Sequence, residues 1–214
     1  YQKCISINEN YAEAYINLGI SLRHLGKTED SIEVFTKILL IKPDFAEAYY
    51  HLVPSLRGIY FKKHNSDLLK IITSLFDKKT LVRPRDIIDA SLSLLKLDTK
   101  LKKYLELDYH DSEELKPLEV IADLSKLPLL LKLMSVCPIS DIDLERLLKK
   151  LRAKLIMSID DYIISSDLLA FQSALALQCF TNEYIYDKTK DEEKALLLLG
   201  ETVKLDISNN NPPS

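Results

Sequence analysis

Glycine is scarce in this chain. Only four glycines occur in 214 residues, and tryptophan is absent. A nucleotide or S-adenosylmethionine site usually needs a glycine-rich turn between a strand and a helix, and the sequence contains no such turn. The shortage also argues against a sheet-rich fold and suits long helices. We therefore expect no catalytic residue and no bound cofactor within these residues.

Charge and cysteine content narrow the range of partners. A net charge of -3 and a pI near 5.9 give no reason to expect nucleic acid or an anionic membrane as a partner. The three cysteines and four histidines lack metal-ligand spacing, so no metal site is expected. We expect Cys4, Cys137 and Cys179 to be buried small hydrophobic residues in a reducing compartment. No secretion signal is visible, and the longest apolar run, 127–139, is too short to span a bilayer, so a cytoplasmic location is predicted.

One short segment recurs at a fixed distance. Ala12-Glu13-Ala14-Tyr15 returns as Ala46-Glu47-Ala48-Tyr49, which is 34 positions later. That spacing is the length of the tetratricopeptide repeat, a helix-turn-helix unit that stacks on its neighbours. Residues 12–45 resemble this repeat at eight signature positions: Tyr15, Leu18, Gly19, Leu22, Ser31, Phe35, Ile38 and Pro43. The same register places Tyr1 and Cys4 in an earlier unit, so the chain is expected to begin within a repeat.

The residue types in this unit predict two packed helices. Spacing by three or four residues places four side chains in one apolar stripe of the first helix: Tyr15, Leu18, Leu22 and Leu25. Gly19 leaves room for a close approach of two helices, and Gly26 ends the first helix in the left-handed conformation. The second helix is predicted over 28–41, and Pro43 ends it. Its inward residues are Ile32, Phe35, Ile38 and Leu39.

The resemblance covers only part of the chain. Residues 46–61 match the first helix of a unit alone, with Val53 and Pro54 replacing the expected glycine and a solvent-side residue, and the pattern is lost from Lys62. Helical spacing continues without any alternating strand pattern, which predicts an all-α chain: a short tetratricopeptide solenoid of helical hairpins followed by an irregular helical domain. The predicted divisions are repeats over 1–61, a connecting helical domain over 62–207 and a linker over 208–214. The later helices are expected to cap the open end of the array.

Residues 80–205 carry a second resemblance. Leu124-Ser125-Lys126-Leu127-Pro128-Leu129-Leu130-Leu131 and the stretch from Ala174 to Tyr184 are similar to the helical region before the class I S-adenosylmethionine-dependent methyltransferase domain of bacterial tetratricopeptide proteins. The resemblance implies that the chain is the non-catalytic front part of a larger enzyme, with the methyltransferase domain downstream. Two alternatives stay open. One is the front part of a glycosyltransferase of the O-linked N-acetylglucosamine type, and the other is a scaffold with no attached enzyme.

The register also identifies a candidate ligand surface. The inner face of a tetratricopeptide array comes mainly from the first helix of each unit, where side chains outside the packing stripe are available to a protein or peptide. These residues are Asn17, Ile20, Arg23 and His24 in one unit, and Tyr50, His51, Pro54 and Arg57 in the next. Arg23 and Arg57 share one repeat position and are expected to hold acidic groups of an extended peptide, while Asn17 bonds its backbone. A solvated polar face is the alternative.

The spacing of apolar residues predicts a long helix from about Asp167 to Tyr186, and a polar cluster lies near its end. Buried polar groups that hydrogen-bond neighbouring helix ends are the favoured interpretation of this cluster. The second interpretation is that Gln178, Asn182, Glu183 and Tyr184 contact the domain that follows. A nucleophilic role for Cys179 is disfavoured because no histidine is placed by the sequence to activate it. A charged, solvent-facing helix surface is predicted at Glu145, Arg146 and Arg152.

Overall fold

A computed structural model describes residues 1–78, 80–106, 116–157, 166–181 and 188–208. Within these ranges the chain forms twelve helices and no strand, so the all-α class is confirmed. The helices are α1 (Gln2–Ile7), α2 (Ala12–His24), α3 (Thr28–Ile41), α4 (Ala46–Leu56), α5 (Ser66–Leu75), α6 (Pro84–Leu95), α7 (Thr99–Leu105), α8 (Pro117–Leu124), α9 (Pro128–Val136), α10 (Ile142–Met157), α11 (Ser166–Thr181) and α12 (Lys190–Ser208). In the described part of the chain, no helix is both long enough and apolar enough to cross a membrane.

The first hairpin, α2 and α3, has the predicted geometry. Gly26 follows α2 with a φ of 74°, a left-handed conformation that favours glycine. A Cβ atom on Gly19 would lie 2.5 Å from two ring carbons of Phe35, so the glycine is required for this close approach. The prediction for Leu25 is wrong, because it lies just past the end of α2 and its side chain is 73% exposed. The apolar stripe therefore ends at Leu22.

Helices α4 and α5 follow the hairpin, and the segment that connects them is longer than the turn between α2 and α3. The Tyr49 hydroxyl donates to the Pro43 carbonyl oxygen at 2.9 Å and lies 3.4 Å from Ser74 Oγ. The first turn of α4 thus lies near the end of α5, although α5 packs mainly on α3 rather than on α4. Val53 stands at the position of Gly19 one period later and is buried, while Pro54 is exposed within α4.

One hydrophobic core runs through the described helices. It extends from Ala12 in α2 to Leu175 in α11. Helix α5 packs on α3, α6 packs on α4, and α9 contacts both α5 and α6. Helix α11 packs on α8 and α9, and α12 packs on α10. The helices after Lys62 therefore cover the open end of the hairpin, while the domain division at residues 61 and 62 stays a prediction.

Three further expectations need correction or lie outside the described residues. Cys4 is exposed, because α1 contains no buried residue, whereas Cys137 and Cys179 are buried as expected. The long helix expected to reach residue 186 is α11, which is described as far as Thr181. Residues 182–187 and the expected linker end, 209–214, lie outside the described residues.

Candidate functional site

The ring of Phe35 joins the hairpin to the predicted ligand face. Phe35 is fully buried, and one side of its ring fills the space above Gly19 of α2. The imidazole of His51, on α4, stacks on this ring with a centroid separation of 5.9 Å and an interplanar angle of 16°. The position of His51 is therefore fixed by the core beneath it.

Two other side chains meet at His51. Arg23 Nη1, on α2, donates to the His51 carbonyl oxygen at 3.3 Å. The Tyr50 ring lies edge-on to the imidazole, with centroids 5.4 Å apart at 83°, and Tyr50 is 72% exposed. We call Arg23, Tyr50 and His51 the α2–α4 cluster. In this cluster a cation contacts the backbone of His51 and a large exposed aromatic ring contacts its imidazole.

The pKa of His51 is lowered from its ordinary value of 6.5. Burial is the main cause, because it disfavours the charged imidazolium, and the nearby charge of Arg23 acts in the same direction. Glu47 opposes both effects. At neutral pH the imidazole is therefore uncharged, with one nitrogen that donates a hydrogen bond and one that accepts.

The remaining predicted residues of α2 share one side of that helix with Arg23. Asn17 and His24 are exposed and Ile20 is half-buried, at spacings of three and four residues that place them on one face. The structure therefore brings the α2 residues beside the cluster without burying their polar groups.

The beginning of the chain matches a known repeat family. Residues 1–33 match the family model described as the tetratricopeptide repeat. Residues 1–33 are therefore similar to one tetratricopeptide repeat. The matched stretch covers α1, α2 and the first part of α3, and it overlaps the unit predicted over 12–45. Tetratricopeptide repeats generally mediate protein–protein binding, so this part of the chain is typical of an interaction module. No curated protein and no solved structure matches the chain.

Arg23 and Arg57 share one position of the repeat register, but their backbone conformations and their contacts differ. Arg23 lies within α2, whereas Arg57 follows the last residue of α4 with an extended backbone conformation. Arg57 Nη2 donates to Asp86 Oδ2 at 3.0 Å, in the first turn of α6. The repeat register gives no signal for this ion pair, because Asp86 belongs to a helix that the register does not reach.

The predicted polar cluster at the end of α11 lies only partly within the described residues. Gln178 is fully buried within the core face of α11. Asn182, Glu183 and Tyr184 lie outside the described residues. The expected contact of these four residues with a following domain stays a prediction.

The sequence predicted that Arg152 lies on a charged, solvent-facing surface, and this prediction is wrong. Its Nη2 atom donates to Glu192 Oε1 at 2.9 Å, and the two side chains are only 13% and 3% exposed. Helix α12 covers this part of α10, which explains the burial. Burial also raises the pKa of the neighbouring Cys179 thiol, although Arg152 acts against the shift. The thiol therefore stays protonated, which does not suit a nucleophile.

Proposed function

We propose that the repeat binds an extended segment of another protein on the face formed by α2 and α4. The observation that carries this proposal is that two side chains meet at His51: the exposed ring of Tyr50 lies edge-on to its imidazole, and Arg23 donates to its carbonyl oxygen. Tyrosine and arginine are the residue types that most often dominate binding energy at protein interfaces. Here both are oriented before any ligand arrives, which reduces the entropy lost on binding.

The chemistry of this face selects the ligand. Arg23 directs its guanidinium toward the surface between α2 and α4, so an acidic side chain or a terminal carboxylate is the expected anionic group. An apolar or proline side chain is expected on the Tyr50 ring, and the Asn17 amide is available to the peptide backbone. Because Arg57 is already paired with Asp86, Arg23 is the cation assigned to the ligand in this proposal.

A peptide-display selection tests the proposal. The full chain is the bait, and peptides that also bind the Tyr50→Ala variant are removed. Peptides with an acidic residue near an apolar residue should be enriched. Fluorescence anisotropy with one enriched peptide should show at least a roughly thirtyfold weaker Kd for Tyr50→Ala, since loss of an interface hot spot costs about 2 kcal/mol or more.

Tyr60→Ala is the matched control for this selection. Tyr60 is 64% exposed but follows α4 in the connecting segment, outside the proposed face. The same peptide should bind this variant with unchanged Kd. Equal losses for the two tyrosine variants, or no loss for Tyr50→Ala, would show that the peptide binds elsewhere.

The attachment of the module to an enzyme rests on sequence resemblance alone. The similarity of residues 80–205 to the region before a methyltransferase domain is the reason to propose a catalytic domain as a partner of these helices. The glycosyltransferase and the scaffold without an enzyme stay as alternatives. Calorimetric titration of this chain with S-adenosylmethionine is expected to show no binding, and measurable binding would contradict the placement of the cofactor site downstream.

A further inference from the structure

One side chain of the α2–α4 cluster, His51, can change its charge near neutral pH. Its ring is held by two neighbours, because it stacks on the buried Phe35 and the Tyr50 ring lies edge-on to it. Neither ring nitrogen has a hydrogen-bond partner among the described residues, and neither is sealed from solvent. A ligand on the proposed face can therefore reach a donor and an acceptor on a ring whose position is already fixed.

Two charged groups act on the imidazole. Burial is the largest cause of the lowered pKa of His51, Arg23 of α2 adds to it, and Glu47 of α4 acts against both. Helices α3 and α6 also pack on α4, and no charged group among their described residues contributes to this balance. In the free protein at neutral pH the α2–α4 cluster therefore carries the charge of Arg23 alone. It gains a second positive charge when His51 takes up a proton.

We propose that the face formed by α2 and α4 takes up a proton at His51 when it binds an acidic ligand. This inference rests on the proposed function and adds a second cationic contact to it. The imidazolium N–H and the Arg23 guanidinium both donate to carboxylate oxygens of the ligand. The proton comes from solvent and is accepted by the lone pair of the free ring nitrogen. Ligand and proton then stabilise each other, so the face binds its ligand more tightly as pH falls from about 8 to about 5.5.

Burial of the ring under the ligand opposes this effect. A bound peptide removes more water from the imidazole, which disfavours its charged form. Part of this cost is already present in the free protein, because Phe35 covers one face of the ring and His51 is only partly exposed. The ligand carboxylate acts only in the complex, and a carboxylate within about 4–6 Å raises the proton affinity of an imidazole by a factor of about ten or more. The carboxylate effect is therefore the larger of the two, and by reciprocal linkage the protonated protein binds the ligand more tightly by the same factor.

The first test measures the Kd of the full chain at two values of pH. The probe is the enriched acidic peptide from the display selection, whose carboxylates stay ionised above a pH of about 5.5. Fluorescence anisotropy should give a Kd at least about fivefold lower at a pH of about 5.5 than at about 8. The same peptide with its acidic residue replaced by the corresponding amide is the matched ligand control and should show no such gain. Circular dichroism at both values of pH confirms that the helices are retained.

Isothermal titration calorimetry counts the protons that are taken up. Titrations with the acidic peptide at a pH of about 6.5, in two buffers that differ in ionisation enthalpy, should give different binding enthalpies, and the difference gives the number of protons bound. His51→Gln should abolish this uptake. His24→Gln and His64→Gln, which remove an exposed histidine of the face and one outside it, are the controls and should keep the uptake.

A proton titration of the unaltered chain makes the test independent of how well His51→Gln folds. NMR of the His51 ring protons should give a higher midpoint in the presence of saturating acidic peptide than in its absence. The amide form of the peptide should not raise the midpoint.

The failure of this inference differs from the failure of the proposed function. A peptide that needs Tyr50 but binds with the same Kd at both values of pH, and without proton uptake, would overturn the role of His51 and leave the ligand face in place. Proton uptake that survives His51→Gln and is lost in His24→Gln would assign the proton to His24 instead. A selection that yields no peptide dependent on Tyr50 would overturn the ligand face, and this inference with it.

Discussion

His51 stacks on Phe35, and through this contact the proposed ligand face of α2 and α4 rests on the core of the hairpin. The imidazole and the phenyl ring are 5.9 Å apart at an angle of 16°, and the same phenyl ring fills the space above Gly19. One buried ring therefore links α2, α3 and α4. A change that moves Phe35 should alter both stability and the position of Tyr50 beside His51.

Replacing Gly19 by alanine tests this packing. The new Cβ would lie 2.5 Å from the Phe35 ring, which is fully buried and cannot move into solvent. We expect Gly19→Ala to lower the free energy of unfolding by about 1–3 kcal/mol, as overpacked cores do. Urea denaturation followed by circular dichroism measures the change.

Gly200→Ala is the matched control for Gly19→Ala. Gly200 lies within α12, and a Cβ there would meet no atom within 4 Å. The substitution should raise stability by up to about 1 kcal/mol, because alanine favours a helix more than glycine does. If both substitutions change stability in the same direction, steric contact with Phe35 does not explain the effect at Gly19.

Tyr15 tests the repeat register itself. Its side chain is 7% exposed and belongs to the core, as the register predicts. Tyr15→Ala should lower the free energy of unfolding by roughly 3–5 kcal/mol, since a packed aromatic ring is lost. Tyr11→Ala, at a tyrosine that is 45% exposed one turn earlier, should have a much smaller effect. A thermal melt that Tyr15→Ala leaves unchanged would contradict the register.

Local sequence patterns predicted the hairpin but not the contacts between distant helices. The 34-residue period fixes the approach of Gly19 to Phe35, because both residues belong to one repeat unit. The ion pair of Arg57 with Asp86 joins residues from helices with no shared period. The same limit applies to α10. The spacing of its apolar residues shows only that Arg152 lies on the polar side of the helix. The burial of that side by α12 depends on how residues 40 positions apart are brought together.

The lowered pKa of His51 predicts a pH dependence. Because the folded state disfavours the imidazolium, the unfolded chain binds the proton more readily. The stability from neutral His51 is therefore fully present above its ordinary pKa of 6.5 and is lost as pH falls below that value. An NMR titration of the His51 ring protons should give a midpoint below 6.5.

Two substitutions should move that midpoint in opposite directions. Arg23→Ala removes a positive charge and should raise the pKa of His51, whereas Glu47→Gln removes a negative charge and should lower it further. Both residues are on helices that meet at the α2–α4 cluster. Shifts of the same sign would show that the substitutions act by changing burial rather than charge.

The buried ion pair between Arg152 and Glu192 should be sensitive to loss of one partner. Glu192 also exchanges hydrogen bonds with Thr189, accepting from its backbone N–H at 2.7 Å and donating its own N–H to Thr189 Oγ1 at 3.2 Å. Arg152→Ala should lower stability by about 3–5 kcal/mol, because it leaves a buried carboxylate without its cation. Chemical denaturation at neutral pH measures this loss.

The pKa of Glu192 gives a second measurement of the same contact. Burial raises this pKa, but the hydrogen bonds from Thr189 and the Arg152 guanidinium outweigh burial and hold it below the ordinary value of 4.5. The stability from the ionised carboxylate is therefore present above 4.5 and is lost as pH falls through the lowered pKa. Arg152→Ala should raise the pKa and move this loss to higher pH. Lys194→Ala is the control, because its exposed pair with Asp191 should contribute no more than about 1 kcal/mol. Equal effects of the two substitutions would mean that the Arg152 contact is no stronger than a solvent-exposed pair.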